Sequence, residues 1–355
     1  MTALYLIQLL ANAGLNAVVV YIPLWAKSLG ANNSQVGLLV GLYQGMMFLS
    51  SLLFGRWADF GDRKRFVVMG LGLSALALGF HLLPRNLTAL FSVRALLGIS
   101  AGIFPAALVA YFYAGNRNLG RFSGFGALGW AVGALLVGIL NNTLLLLVSA
   151  LIMLFTAIFA QLVLQQQPVR LNLPFFNARV FSRNWRVYLS FLLRHLGAFS
   201  IWTIFPLYLA HLGASRFWIG FIYALNPLAQ FLFMNILEPV KDTLLIRSGL
   251  WLSVVVFILF GIARRFEQVI PIQIALALSW SCLYLGTLKQ LLRRNEEKST
   301  ASGILQSVLS LAAVLGALLE GITGAFDYRA IMFAAAGIAF GGALLYLMTP
   351  EPDKV

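Results

Sequence analysis

Twelve apolar runs follow one another along this chain with only short polar stretches between them. They span Ala3–Ala26, Val36–Phe54, Phe66–Leu83, Leu87–Ala114, Gly120–Leu140 and Leu144–Leu164, then Trp185–Ala210, Trp218–Leu237, Leu244–Ala263, Val269–Leu288, Ala301–Ile322 and Ala330–Met348. Each reaches the roughly 17–25 residues that carry a helix across a bilayer core. Lipid offers a backbone no hydrogen bonds, so such runs must be helices. In 355 residues, twelve of them leave no room for a soluble domain. Only 10% of residues are Asp, Glu, Lys or Arg and 61% are apolar, whereas a soluble domain carries about 25% charged residues. That excludes a soluble enzyme, a disordered chain and a secreted disulfide scaffold. The net charge of +14 invites comparison with nucleic-acid binders. Its cations, however, fall in short clusters between apolar runs rather than on one face of a soluble fold. The single cysteine, Cys282, lies in an apolar run and supports neither a disulfide nor a metal site. The first run lacks a basic n-region and is longer than a signal's apolar core, so it reads as a span.

Alternate loops differ sharply in Lys and Arg. One side carries 17, among them Arg56, Arg63, Lys64 and Arg65, and the other carries six. The positive-inside rule places both termini in the cytoplasm of a cell (plasma or inner) membrane. Arg94 and Arg194 fall inside spans. Three Asn-x-Ser/Thr sequons, at Asn32, Asn86 and Asn141, fall in outer loops too short to weigh as glycosylation sites.

The halves also match each other at an offset of 183 residues. Pro23-Leu24 answers Pro206-Leu207, Asp59 answers Asp242, Gly120 answers Gly303, and Gly133-Ala134-Leu135-Leu136 answers Gly316-Ala317-Leu318-Leu319. An even number of spans per half keeps the repeats parallel. The expected fold is an all-α polytopic membrane protein of twelve helices, arranged as two six-helix bundles over 1–167 and 185–355 with a cytoplasmic linker at 168–184. In transporters of this architecture the substrate site lies near the midplane between repeats.

Between the second and third runs stands Gly55-Arg56-Trp57-Ala58-Asp59-Phe60-Gly61-Asp62-Arg63-Lys64-Arg65. A positive-inside anchor needs only Arg63–Arg65 and leaves Gly55 and Asp59 unexplained. The segment resembles the signature loop of the major facilitator superfamily, with Asp62 where that pattern has Gly and Phe60 where it has a base. The resemblance extends to Arg94-Ala95-Leu96-Leu97-Gly98 followed by Gly102, which is similar to the family's fourth-helix pattern. It covers the whole chain and implies the two-bundle fold and alternating access. It also implies a cytoplasmic gate of Gly55, Asp59, Arg63 and Lys64, in which Asp59 meets the N-terminus of the helix starting near Ser299-Thr300. The fifth run, with Gly120, Gly129, Gly133-Ala134 and Val137-Gly138, resembles the antiporter motif without its proline, and small-residue helix packing accounts for it about as well. Gly98-Ile99-Ser100-Ala101-Gly102 also spells a nucleophile elbow, but one that lies inside a helix and lacks the sheet that motif needs.

Polar residues inside spans are the candidates for lining a substrate cavity. Gln8, Asn12 and Asn16 share a helix face. Tyr223, Asn226 and Gln230 share another. Arg94, Arg194, His195, Trp280 and Tyr284 complete the set. The bland alternative for the amides is interhelical hydrogen bonding, and for Arg94 it is snorkelling to the outer surface. The first half has no acid in its spans, so proton coupling would fall to Glu320, or next to His195; Glu320 equally suits an ion pair with Arg329 or Arg94.

The expected function is secondary transport of a small-molecule substrate, with the proton or another coupling ion as partner. The fifth-run motif points to export of amphipathic or drug-like compounds. The excess of buried cations points instead to uptake of an anionic or polar metabolite. A membrane enzyme is the remote alternative: His81 and His195 have no acidic partner nearby in sequence. No catalytic residue, metal site, cofactor or nucleic acid is expected, and the chain reads as a monomer.

Overall fold

The structure is a computed structural model describing residues 2–115, 118–169, 171, 178–323 and 327–348; the side chains of residues 20, 24, 33, 216 and 317–323 lie outside the description. The described residues form twelve α-helices, one for each apolar run. They are α1 (Thr2–Ser28), α2 (Asn33–Trp57), α3 (Arg63–Phe80), α4 (Leu87–Gly115), α5 (Leu119–Ile139) and α6 (Asn142–Val163), then α7 (Arg179–His211), α8 (Arg216–Ile236), α9 (Asp242–Ile262), α10 (Phe266–Arg294), α11 (Lys298–Thr323) and α12 (Tyr328–Leu347).

Eleven of these helices are long and apolar enough to cross a membrane. The exception is α3: its 18 residues begin with Arg63, Lys64 and Arg65 and end at Phe80, short of the expected Leu83. A second difference concerns the linker. Arg179–Asn184, expected to lie in it, already form the first turns of α7. Asn184 is buried there and donates to Val180 O and to Asn295 Oδ1, at 2.8 and 3.1 Å.

The three sequon asparagines cap helices. Asn32 accepts from Gln35 N, Asn86 from Ala89 N and Asn141 from Leu144 N. An asparagine followed two residues later by Ser or Thr here marks the start of a helix, where the first N–H groups have no partner within the helix.

Helix packing reproduces the sequence repeat. In the first half α1 packs on α5 and α6, α2 on α4, and α3 on α4 and α6. In the second half α7 packs on α11 and α12, α8 on α10, and α9 on α10 and α12. Each pair maps onto its counterpart when six is added to both helix numbers. Close approaches follow the same rule. A Cβ on Gly133 would lie 3.0 Å from Ala17 N and 3.1 Å from Asn16 Cβ, while one on Gly316 would lie 2.6 Å from Phe199 Cβ and 3.2 Å from Ser200 N. Residues 199 and 200 are 16 and 17 advanced by the 183-residue offset. The halves meet through α2 with α11 and through α5 with α8, again a symmetric set.

The outer faces stay apolar. On α6, Leu147, Leu151, Leu154, Ile158 and Leu162 are exposed along one face. On a soluble protein so broad a patch would mark a binding surface; here lipid covers it.

Candidate functional site

The α2–α3 turn, the segment that follows α6, the start of α1 and the end of α12 lie at one end of the molecule, the basic end. Here the halves close on each other. Asp59, fully buried, follows α2 and sits at the N-terminus of α11. Its carboxylate accepts from Ser299 N at 3.1 Å, Thr300 N at 2.7 Å and Thr300 Oγ1 at 2.8 Å. Those N–H groups belong to the first turn of α11 and carry the positive end of its dipole. Arg63 pairs with Asp59 at 3.2 Å and also donates to Ser299 Oγ and Ala110 O. Gly55 permits this approach: its Cα lies against Gly303, and a Cβ on either residue would come within 3.0 Å of the other's Cα. Of the expected gate, Gly55, Asp59 and Arg63 are brought together. Lys64 contributes its backbone N–H to Asp62 Oδ1, and its ammonium makes none of the contacts described. Arg56, which was not among the expected gate residues, donates to Thr300 Oγ1 at 3.4 Å and lies 3.9 Å from Glu297.

The linker is stitched to the same turn. Asp62 and Pro168 form a β-bridge, Val169 N donates to Gly61 O, and Arg63 N donates to Gln167 O.

A second closure joins α5 to α8 and has no counterpart among the sequence expectations. Glu238, just after α8, accepts from Gly120 N at the start of α5 at 2.5 Å. Lys289 of α10 holds that loop through Glu238 O and Val240 O. The 183-residue offset pairs Asp59 with Asp242, yet Asp242 spends its charge on Arg293 at 2.7 Å. The residue that performs Asp59's task in the second half is Glu238, four positions earlier in the chain. The readable clue was the symmetry itself: an acid in the α8–α9 loop facing the N-terminus of the helix equivalent to α11.

Burial pushes the Glu238 carboxyl above its usual range, against the opposing pull of the Gly120 N–H and Lys289. A carboxyl held high in the closed form and ordinary when exposed binds its proton more tightly when closed. The closed form therefore gains as pH falls through the raised value and loses as pH rises past it. The labelling rate of a cysteine in place of Asn235 on α8, divided at each pH by that of the same cysteine in the unfolded chain to remove the thiol's own ionisation, is expected to fall as pH falls through the raised value, and Glu238→Gln should flatten that difference. A rise in that ratio at the lower pH would contradict this sign.

The polar candidates inside the bundles are mostly engaged within their own half. Asn12 donates to Gln8 O and accepts from Trp130 Nε1, and Asn16 donates to Trp130 O. These amides pin α5 to α1, where Gly126, Gly129 and Gly133 admit them. The fifth-helix glycine pattern thus serves two packing faces, with Gly120 and Gly124 turned to α8. Gln230 donates to Asn226 Oδ1 on the same helix, and Asn226 to Gln273 O at 3.4 Å. Tyr223 packs on Trp202 and Phe205, and Tyr284 stacks on Trp280. Ser100 donates to Leu97 O within an unbroken helix, and Gly98 and Gly102 seat α4 on α2, so the elbow-like string is a packing stripe.

Two cations are buried with no described carboxylate paired to them. Arg94 is 1% exposed and does not snorkel; its guanidinium lies 4.1 Å from the centre of the Tyr43 ring, with Nε and Nη1 unpartnered. Arg194 is 2% exposed. It donates from Nε to Ser253 Oγ at 2.8 Å, and its Nη1 lies 3.2 Å from His195 Nε2. His195 Nδ1 faces Phe191 O at 2.7 Å. A carbonyl only accepts, so Nδ1 carries the proton and Nε2 accepts from Arg194. That arrangement leaves the ring no free position for a second proton. The side chain of Glu320, the other coupling candidate, lies outside the described residues.

The sequence profile described as Major Facilitator Superfamily matches residues 4–288. The chain belongs to the major facilitator superfamily. It is a multi-pass membrane transporter of small molecules and not an enzyme. Curated relatives include the quinolone resistance protein NorA of Staphylococcus aureus, 22% identical over 98% of this chain and 96% of that one. The multidrug resistance protein MdtG of Salmonella arizonae is 24% identical, over 97% and 93%. Among solved structures, the human organic anion transporter MFSD10 superposes with a TM-score of 0.81 at 17% identity, covering 97% of this chain and 98% of that one. A bacterial homologue of the iron transporter ferroportin, in an outward-facing state, gives 0.78 at 14% identity, covering 98% of each chain. At these identities the structural likeness shows the fold. Among the described residues, hydrogen bonds and ring contacts between the halves of this transporter run from Phe48 and Ser307 to Asp59 and Thr300 and from Phe125 and Phe231 to Gly120 and Glu238.

Proposed function

We propose that this transporter exports amphipathic, drug-like compounds by alternating access, as a monomer whose basic end and termini face the cytoplasm. The observation that carries the reading is the pair of carboxylate-to-helix contacts, Asp59 on α11 and Glu238 on α5. Both cross between the halves, both close the same end, and each breaks when the bundles rock apart. Residues 1–167 and those from Arg179 onward are the two rocking bodies. In this reading the basic end is the one closed at rest, and the resting state faces outward. The resistance proteins among the relatives support export. A ligand turns the cycle only through its different affinity for the two states.

A second reading, uptake of an anionic or polar metabolite, is favoured by Arg94 and Arg194, buried without a described carboxylate. For a proton-coupled cycle, Glu320 is the carboxyl to replace first, ahead of His195.

The test is reconstitution of the full chain into liposomes with imposed pH and sodium gradients, screened against pooled solutes. Export predicts saturable, gradient-driven movement of amphipathic compounds out of the compartment that the basic end faces. Flux that never saturates, or movement of polar metabolites alone, would overturn it.

A further inference from the structure

We infer that Gln167, in the segment that follows α6, is a positioning residue of the gate. It orients the Arg63 guanidinium before the halves meet, so that the first half offers the N-terminus of α11 a preformed socket. The inference rests on the alternating-access reading above and adds to it a residue outside the helices that form the gate.

Residues 165–169 lie along the α2–α3 turn and against α4. Gln165 N donates to the Tyr111 hydroxyl of α4, and that hydroxyl donates back to Gln165 O, each at 3.1 Å. Gln167 N donates to Asp62 Oδ1 at 2.9 Å, Gln167 O accepts from Arg63 N at 3.2 Å, and Val169 N donates to Gly61 O at 2.9 Å. With its backbone held on both sides, Gln167 brings its side-chain oxygen to 3.3 Å from Arg63 Nη1. Among the described contacts that side chain serves Arg63 alone.

Arg63 is buried, and each of its nitrogens has a different task. Nη2 meets Asp59 Oδ1 at 3.2 Å, Nη1 meets Gln167 and Ala110 O, and Nε donates across the seam to Ser299 Oγ at 3.2 Å. Asp59, Ala110 and Gln167 belong to the first half. A guanidinium is a rigid planar fork, so fixing two of its nitrogens also aims the third. Ala110 O, at 3.5 Å, stands at the limit of a hydrogen bond, which leaves Gln167 as the closer hold on Nη1. Arginine is among the side chains with most rotamer freedom to lose on ordering. Every contact given above for residues 165–169 lies within the first half, so these contacts persist when the bundles part. Arg63 is then ordered before closure, and closure does not have to supply that order.

The test reads the closed population of the full chain in liposomes by maleimide labelling of Ser302→Cys in a Cys282→Ser background, from the side that the basic end faces. Gln167→Met keeps the length of the side chain and removes its acceptor. It is expected to accelerate labelling about threefold to tenfold, the loss of one hydrogen bond to a charged group at a half-buried position. Gln167→Glu keeps an acceptor at the same reach and should stay within about twofold of the native rate. A segment that merely covered the turn would take the apolar methionine at least as well as a second carboxylate beside Asp62. The order of the two variants therefore separates positioning from packing. A native rate in Gln167→Met, or faster labelling in Gln167→Glu than in Gln167→Met, overturns the inference. Asp59→Asn reports on the gate itself. Where it accelerates labelling and Gln167→Met does not, the gate stands and the positioning role falls. Where neither changes the rate, the gate reading falls and takes the role of Gln167 with it.

Discussion

Asp59→Asn is expected to open the basic end. The native carboxylate accepts from two backbone N–H groups and a hydroxyl of α11 and pairs with Arg63. Asparagine keeps one oxygen but turns an amide N–H₂ toward groups that themselves donate. It also leaves Arg63 as a buried cation with no counter-charge. The hydrogen bonds from α11 to the charged carboxylate span the halves, so their loss, about 1.5–3 kcal/mol, falls on the closed state, whereas the pair with Arg63 lies within the first half. A resting population of about 99:1 in favour of closure would then fall toward parity. The measurement is maleimide labelling of a cysteine placed at Ser302, buried against Ala106 O, in a Cys282→Ser background. Labelling from the side that the basic end faces should accelerate by tenfold or more. An unchanged rate would remove Asp59 from the gate.

Gly120→Val should abolish transport while the chain still folds and inserts. A Cβ at Gly120 would lie 2.2 Å from Met234 O and 3.1 Å from Glu238 Cβ, so the helix axes of α5 and α8 must separate before any side chain fits. Overpacking of this kind costs about 1–3 kcal/mol or more, and it falls on the closed form alone. Gly138→Val on the same helix supplies the comparison, since a Cβ there meets nothing within 4 Å. Expected is near-native flux for Gly138→Val and a loss of at least tenfold for Gly120→Val at equal abundance in proteoliposomes. Equal flux from the two variants would show that α5 and α8 need not touch during the cycle.

The two variants differ in how far sequence alone foretells them. Asp59 was legible because its loop carries a pattern of residue types at fixed spacing, and an acid beside a glycine at a helix end has a narrow range of uses. Glu238 was not, because a repeat offset aligns backbones and says nothing about which of two nearby acids turns inward. Asp242 sits at the aligned position and is drawn off by Arg293. The cavity residues show the same limit. Spacing places Asn12 and Asn16 on one face of α1, but that they are spent on Trp130 depends on α5 lying against that face. Arg94 looked close enough to the outer surface to snorkel, yet the Tyr43 ring holds it inside.

By itself the sequence determined the number of helices, the fold and the repeat. Each follows from one-dimensional quantities: the length of an apolar run against the thickness of a bilayer, and the distribution of cations along the chain. Only the tertiary structure decided which end is closed, which acids close it, and which buried charges are left without a partner. Those depend on distances of a few ångströms between residues more than a hundred positions apart, such as Gly120 with Glu238 or Asp59 with Thr300. Electrostatic and packing energies change steeply over that range, and periodicity along a single helix carries no trace of it.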